Sequence, residues 1–297
     1  MKIKKAYIQH FKIPFKEPIL GQDPYKEGFY FVCETDTGKK GIGELSTYRG
    51  LHPHDAKALK NEIEYVADQF LNQTLQFEKF CPHSPLFNLV VIQDIDPRLL
   101  FCVEGALLDL MVGSSLFHDS QPEIQALIIP GRPLPKNLSR INKIKIGKLH
   151  FNDEIDFLRN LPGQLRLDSN KSISAKMVRD YWEALGEKID YFEDPFPFSS
   201  KWVELAKDGI PMALDEDFVD YLDHDLTFLK ALIIKPNLLP GIHNTFKLID
   251  KLKTPLVVSS TFESKVGIRT LRRITQYKGF KYKTLHGLGT LHYLEDH

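Results

Sequence analysis

The sequence predicts an α/β protein: a modified TIM barrel, (β/α)7β, with an N-terminal α+β capping domain completed by the C-terminal tail. Two observations carry the barrel. From about residue 98 onward, eight apolar runs alternate with helix-like segments: IQALII, KIKI, QLRLD, IDYFED, PMALD, ALIIK, PLVVSS and KYKTLH. That alternation is the signature of parallel strands joined by helical crossovers. Five charged residues, Lys145, Asp168, Glu193, Asp215 and Lys235, then close or nearly close five consecutive runs at gaps of 23, 25, 22 and 20 residues. Each gap is about one strand plus one helix. A third observation, a change of texture near residue 98, separates the capping unit.

Residues 1–97 contain the strand-like stretches KKAYIQHF and GFYFVCETD and a hairpin turn around ETDTGKKGIGE. A helical stretch, HDAKALKNEIEYVADQFLN, follows, with Ala58, Leu59, Ile63, Val66, Ala67 and Phe70 at the 3–4-residue spacing of one helix face. The irregular segments around 15–28 and 45–54 have the length of binding loops. FCVEGALLDLMVG reads as a helix with Phe101, Gly105, Leu108 and Val112 on one side. Barrel helices are expected at 153–160, 174–187, 199–207, 219–229, 241–252 and 264–278. The first crossover, GRPLPKNLSRIN, is too short and proline-rich for a normal helix. The last strand runs almost to the C-terminus, which leaves no room for an eighth helix. The expected division is therefore 1–97 for the cap, 98–286 for the barrel and 287–297 for a tail that packs back on the cap.

Composition excludes several classes. Lys+Arg and Asp+Glu both number 39, so no global field points to nucleic acid or an anionic membrane. No stretch approaches the ~20 apolar residues of a membrane span, and the basic N-terminus lacks the apolar core of a secretory signal. Three scattered cysteines without a CxxC pair signal neither zinc nor a dithiol and suit a reducing compartment, the cytoplasm by default. A monomer or small homo-oligomer is expected.

Five charges at the same end of successive strands of a closed barrel must converge, at the end where such barrels build their active sites. Strand parity puts Lys143 and Lys145 on one face, and Arg166, Asp168 and Asn170 on one face of the next strand. Two neighbouring lysines out of water repel each other, and both effects lower an ammonium pKa toward a usable base. The alternative is an exposed K-x-K face on an edge strand. Asp168, Glu193 and Asp215 offer hard oxygen ligands that suit Mg²⁺, with Mn²⁺ as a substitute. The alternative is helix N-caps, a role open to Asp217 and Ser169 as well. Lys235 ends an apolar strand four places round the barrel from Lys145, so the two would face each other across the metal. Three carboxylates, one dication and two ammoniums sum to about +1, which calls for a carboxylate-bearing small molecule as substrate.

Other signals are weaker. GKKGIGE lacks a phosphate-loop spacing and reads as a hairpin turn. His52 and His54 lack a third ligand and read as a solvated loop. SSTFES, with Ser259 and Ser260, suits anion binding or a helix cap equally, and GLGT is too short to judge alone.

Taken together, KIK (143–145), LDSN (167–170), FEDP (192–195), LDED (214–217) and IKP (234–236) resemble, in order, the signatures of the enolase superfamily in its muconate-lactonizing-enzyme-like group. GIGE (41–44) and GALLDL (105–110) resemble that group's N-terminal signatures. The resemblance implies Asp168, Glu193 and Asp215 as metal ligands, with Asn170, Asp194 and Glu216 beside them. It implies Lys145 as base and then acid, Lys235 as the cation facing developing charge, and Lys143 as its electrostatic neighbour. LRLDSN, SSTFES and GLGT most resemble the branch that dehydrates a cyclohexadiene carboxylate to an aromatic acid, with Ser259, Ser260, Gly287 and Gly289 holding the substrate's tail. Racemization of N-acylamino acids, dipeptide epimerization and muconate cycloisomerization use the same scaffold. A non-catalytic ligand-binding barrel is the reading from a different class.

Overall fold

The computed structural model describes residues 1–19, 21–75, 81–83, 96–111 and 114–295, and Glu216 in its backbone alone. Strands β1 (Ile3–Pro14), β2 (Tyr25–Thr35) and β3 (Lys40–Ser46) form an antiparallel sheet in that order. The hairpin turn falls where expected, with Gly38 at φ +80°, but Gly41–Glu44 of GKKGIGE belongs to β3. The expected first helix divides in two. A 3₁₀ turn, Ala56–Leu59, is capped by the Asp55 carboxylate, and α1 (Lys60–Phe70) follows.

α2 (Pro97–Leu110) lies under the sheet, and its Leu99, Cys102, Val103, Ala106 and Leu107 join Phe31, Leu45, Ile63 and Phe70 in the cap's core. Its other side, with Phe101 and Leu108, joins the barrel's core. Val112 of that expected face lies outside the described residues. The contact with β3 is backbone on backbone: a Cβ on Gly43 would stand 1.7 Å from the Cys102 carbonyl oxygen. The GIGE wording thus has a steric cause.

The second sheet holds β4 (Ile124–Ile128), β5 (Ile141–Lys145), β6 (Gln164–Asp168), β7 (Ile189–Glu193), β8 (Met212–Leu214), β9 (Ala231–Ile234), β10 (Leu256–Val258) and β11 (His286–Gly289). All pairs are parallel, in the order β10-β9-β8-β7-β6-β5-β4-β11. A parallel bridge between Ser259 and Gly287 closes the ring, with Ser260 N–H donating to the Gly287 carbonyl at 3.0 Å. Around it stand α3 (Phe151–Asn160), α4 (Ala175–Leu185), α5 (Ser200–Lys207), α6 (Ile242–Lys251) and α7 (Lys265–Thr275). The 129–140 crossover is non-helical, as its prolines predict.

Two expectations are corrected. The last strand is HGLG rather than KYKTLH, whose Lys281 and Lys283 remain in solvent. The segment 219–229 is not a helix: a 3₁₀ turn, Glu216–Tyr221, gives way to turns. There the Asp225 carboxylate accepts from Thr227 N–H at 3.0 Å and its hydroxyl at 2.6 Å, a local bond that competes with helix formation.

The chain's end returns to the cap, where Lys16 N–H donates to the Tyr293 carbonyl and Glu295 N–H to that of Pro14. Glu44, buried at the end of the GIGE stretch, accepts from Ser264 N–H, Ser264 Oγ and Gly267 N–H, and so ties the cap to the first turn of α7. All three cysteines are free thiols. Among the described residues no helix is long and apolar enough to cross a membrane.

Candidate active site

Strand register brings the charges together. Lys145 pairs with Asp168, and Asp168 pairs with Glu193, at the C-terminal ends of β5, β6 and β7. Asp215 follows β8 directly and Lys235 follows β9. β5 and β9 are four places apart in the ring in either direction, so Lys145 and Lys235 stand on opposite walls. The cavity between them measures about 390 Å³ and is lined by Lys143, Lys145, Asp168, Asp215 and Lys235.

The ion pairs are tight. Lys145 Nζ donates to Asp168 Oδ2 and to Asn170 Oδ1, both at 2.7 Å. Lys143 Nζ lies 2.7 Å from the same Asp168 oxygen and also bonds Glu193. Lys235 Nζ donates to Asp215 Oδ2 at 2.5 Å. Glu193 is buried behind Lys143 and does not line the cavity. Lys143 and Lys145 are therefore no exposed edge face. Nor are the acids caps: Asp215 makes no capping bond, Ser169 Oγ donates to the Asp194 and Pro195 carbonyls, and Asp217 takes Lys171. Ser174, not these residues, caps α4.

The electrostatics correct one expectation. Burial pulls the Lys143 ammonium down, but Asp168, Glu193 and Asp215 beside it outweigh burial and hold it well above the ordinary lysine value. Attraction to three carboxylates exceeds repulsion from one neighbouring lysine. Asp168 shows the converse: burial raises it, and Lys143 and Lys145 more than reverse that, leaving it below the carboxylate range. Among the described residues no three acidic, histidine or cysteine side chains are drawn close enough to hold a metal as they stand. An ammonium takes one oxygen of each carboxylate. In kind and charge the three buried carboxylates nonetheless fit a hard divalent cation.

The residues named beside the acids have definite places. Asn170 N–H donates to Asp168 Oδ1 at 3.1 Å, and Asp194 Oδ1 accepts from Asp215 N–H at 3.0 Å. The side chain of Glu216 lies outside the described residues. Asn170, Lys171, Asp194 and Phe262 all have positive φ (41–62°) and all line the cavity. Non-glycine residues rarely adopt this conformation, which concentrates at functional sites.

Ser259, Ser260, Gly287 and Gly289 line the far wall, where β10 meets β11. Ser260 Oγ shares a hydrogen bond with Thr290 Oγ1 at 2.7 Å, while Ser264 in the same segment caps α7. The helix-cap reading of SSTFES therefore holds at Ser264. This wall is uncharged: Glu263 is turned away, bonded to Asn237 and Thr261.

Sequence reasoning missed several lining residues. Tyr48, Arg49 and Leu51 descend from the 45–54 segment, expected as a binding loop but without named residues, and Phe262 rises from the barrel to meet Tyr48. Gln125 and Leu127 share the inward face of β4, which strand parity applied to IQALII would have shown. His52 is no solvated loop residue, because its Nδ1 accepts from Tyr48 N–H at 2.8 Å. Burial, aided by Lys26 and Arg98, lowers it to about 4.

No protein-family model matches the chain. An o-succinylbenzoate synthase of Haemophilus influenzae is 29% identical over 321 residues, covering 98% of this chain and 91% of the relative. One of Vibrio cholerae is 30% identical over 133 residues, so that match spans 40% of either chain. Among solved structures, the dipeptide epimerase of Enterococcus faecalis complexed with Mg and L-Leu-L-Tyr superposes with a TM-score of 0.76 at 18% identity, covering 100% of this chain and 92% of the other. The o-succinylbenzoate synthase of Thermosynechococcus elongatus, with Mg in its active site, gives 0.67 at 20% identity, covering 98% and 94%. The chain shares its fold with these structures, and its sequence relatives bear the name of the synthase branch that its motifs resemble.

Proposed function

We propose that the protein is an o-succinylbenzoate synthase, a hydro-lyase that converts 2-succinyl-6-hydroxy-2,4-cyclohexadiene-1-carboxylate to o-succinylbenzoate and water, in menaquinone biosynthesis in the cytoplasm. The observation that carries this reading is the opposed pair of lysines across one cavity, each bonded to a strand-end carboxylate. The synthase relative matched over 98% of the chain supports the choice of reaction.

Asp168, Glu193 and Asp215 would hold Mg²⁺, which when bound supplies Lewis-acid polarisation of the substrate's ring carboxylate. Lys145 is the most exposed of the three lysines at the cavity, its side chain 29% exposed against 11% for Lys143 and 10% for Lys235. As a neutral amine it removes the proton α to the carboxylate. Lys235, on the opposite wall, supplies positive charge to the carboxylate as negative charge develops. Lys145, now an ammonium, returns the proton to the departing hydroxyl on the same face. Lys143 remains charged and holds Asp168 and Glu193 side by side. Ser259, Ser260 and the backbone at Gly287 and Gly289 receive the succinyl tail. The loop carrying Tyr48 closes the mouth against water.

Dipeptide epimerization has the higher-scoring structural neighbour. At 18% identity that likeness speaks for the fold alone. A peptide's ammonium needs an acidic partner, and the wall formed after β10 and β11 offers hydroxyls and glycines instead. The deciding experiment measures aromatic product formation with and without EDTA, beside deuterium exchange into dipeptides and N-acylamino acids. EDTA-sensitive formation of o-succinylbenzoate supports the synthase. Exchange without dehydration moves the protein to the racemases or epimerases, and no turnover of any kind leaves the ligand-binding barrel.

A further inference from the structure

The cavity's roof is a pair of aromatic rings from two different parts of the fold. Tyr48 of the cap loop and Phe262 of the loop after β10 stack with centroids 5.5 Å apart and planes 13° from parallel. Among the described residues, neither ring is placed by a hydrogen bond of its own side chain. The backbones beneath them are held by one buried group. Lys26 of β2, 2% exposed, donates from Nζ to the Thr47 carbonyl at 2.8 Å and to the Thr261 carbonyl at 3.0 Å. Those carbonyls belong to the residues immediately before Tyr48 and Phe262.

A buried ammonium is costly, and an apolar side chain would fill the same space without that cost. Burial pulls the Lys26 ammonium below its ordinary value, and Glu263 and Glu44 nearby counter that in part. Glu263 also fixes Thr261 through its N–H and hydroxyl, both at 2.8 Å. Phe262 is kept at φ +62°, a conformation that its own side chain disfavours and that surrounding bonds must impose. On the cap side, Arg49 and Gln22 exchange two hydrogen bonds at 3.0 Å, and His52 holds Tyr48 N–H. Each loop is thus braced within its own domain, and Lys26 spans the seam between them.

We propose that Lys26 is a positioning residue of the active site: its ammonium clamps the Thr47 and Thr261 carbonyls and so sets Tyr48 against Phe262 as the roof over the substrate. The kinetic part of this inference rests on the synthase reading, whereas its structural part does not.

The test compares wild type, Lys26→Met, which removes the donors at similar length, and Lys26→Arg. Lys26→Met/Glu263→Gln is included because it keeps the buried charges balanced if the single variant folds poorly. Amide exchange of the full-length protein should rise about tenfold or more in peptides covering 47–51 and 260–263, with the barrel strands unchanged. With the cyclohexadiene substrate, KM should rise roughly tenfold while kcat stays within about threefold, and Lys26→Arg should recover part of the loss. Unchanged exchange at both loops overturns the clamp. Loosened loops with an unchanged KM, or a fall in kcat alone, overturn its role in positioning substrate. Loops loosened in Lys26→Met, in a protein whose wild type never forms o-succinylbenzoate, uphold the clamp and refute only the proposed substrate.

Discussion

Lys145 and Asp168 are register partners on adjacent parallel strands, and the lysine's Nζ stands 2.7 Å from Asp168 Oδ2. The contact joins the group proposed to move protons to one proposed to hold the metal. A change at either end is therefore felt at the other.

Lys145→Ala should lower turnover by about 10²–10⁴-fold, the usual contribution of a positioned acid–base group. The far-ultraviolet dichroism and thermal midpoint should stay near wild type, since the side chain is partly exposed. Retained turnover would remove Lys145 from its assigned role.

Asp215→Asn should weaken Mg²⁺ binding in a calorimetric titration. Loss of a direct ligand should cost at least the roughly 10- to 100-fold seen for outer partners. It also deprives Lys235 of an anionic partner, so Lys235→Ala is the needed control: activity should fall while Mg²⁺ affinity changes much less. Equal metal affinity in wild type and Asp215→Asn would count against the site.

Gly43→Ala should destabilise the fold by about 1–3 kcal/mol, because the added methyl would overlap the Cys102 carbonyl and force β3 away from α2. Gly38→Ala has open space at its Cβ and should instead suffer only from its φ of +80°. Thermal unfolding of the two variants separates steric contact from conformational strain. Equal effects would disprove the assignment.

Stability should fall as pH drops below about 6.5. Burial lowers His286 to about 3, with Arg166 adding to the effect, and lowers His52 to about 4. Each ring accepts a backbone N–H at Nδ1, from Val258 and Tyr48 respectively, so protonation of that nitrogen breaks the bond. A depressed histidine pKa means the unfolded chain takes up protons first. The stability it confers is complete above 6.5 and is lost progressively toward the folded-state values. The part lost between pH 7 and 5 is on the order of a few kcal/mol. Urea midpoints should therefore decline between pH 7 and 5, before most carboxylates titrate, and a flat profile there would contradict the assignment.

The five charges and their order were legible in the sequence because strand parity and the strand–helix repeat are local properties. Once eight parallel strands close, residues ending successive strands must meet. Lys143, Lys145, Asp168, Asp215 and Lys235 do so around one cavity, with Glu193 just behind Lys143. Local pattern misled where side-chain chemistry overrode it: the Asp225–Thr227 turn replaces an expected helix, and HGLG replaces KYKTLH as the last strand.

By itself, then, the chain determined the barrel, its capping unit and the set of charges at its mouth, since these follow from periodicity and spacing. Only tertiary structure decided that Lys143 keeps its proton, because that balance depends on three carboxylates brought from 25, 50 and 72 residues away. Only tertiary structure, likewise, stacked Tyr48 on Phe262 and set Lys26 beneath them. Contacts between segments more than 200 residues apart leave no periodic trace, because nothing in either segment's local pattern registers the other.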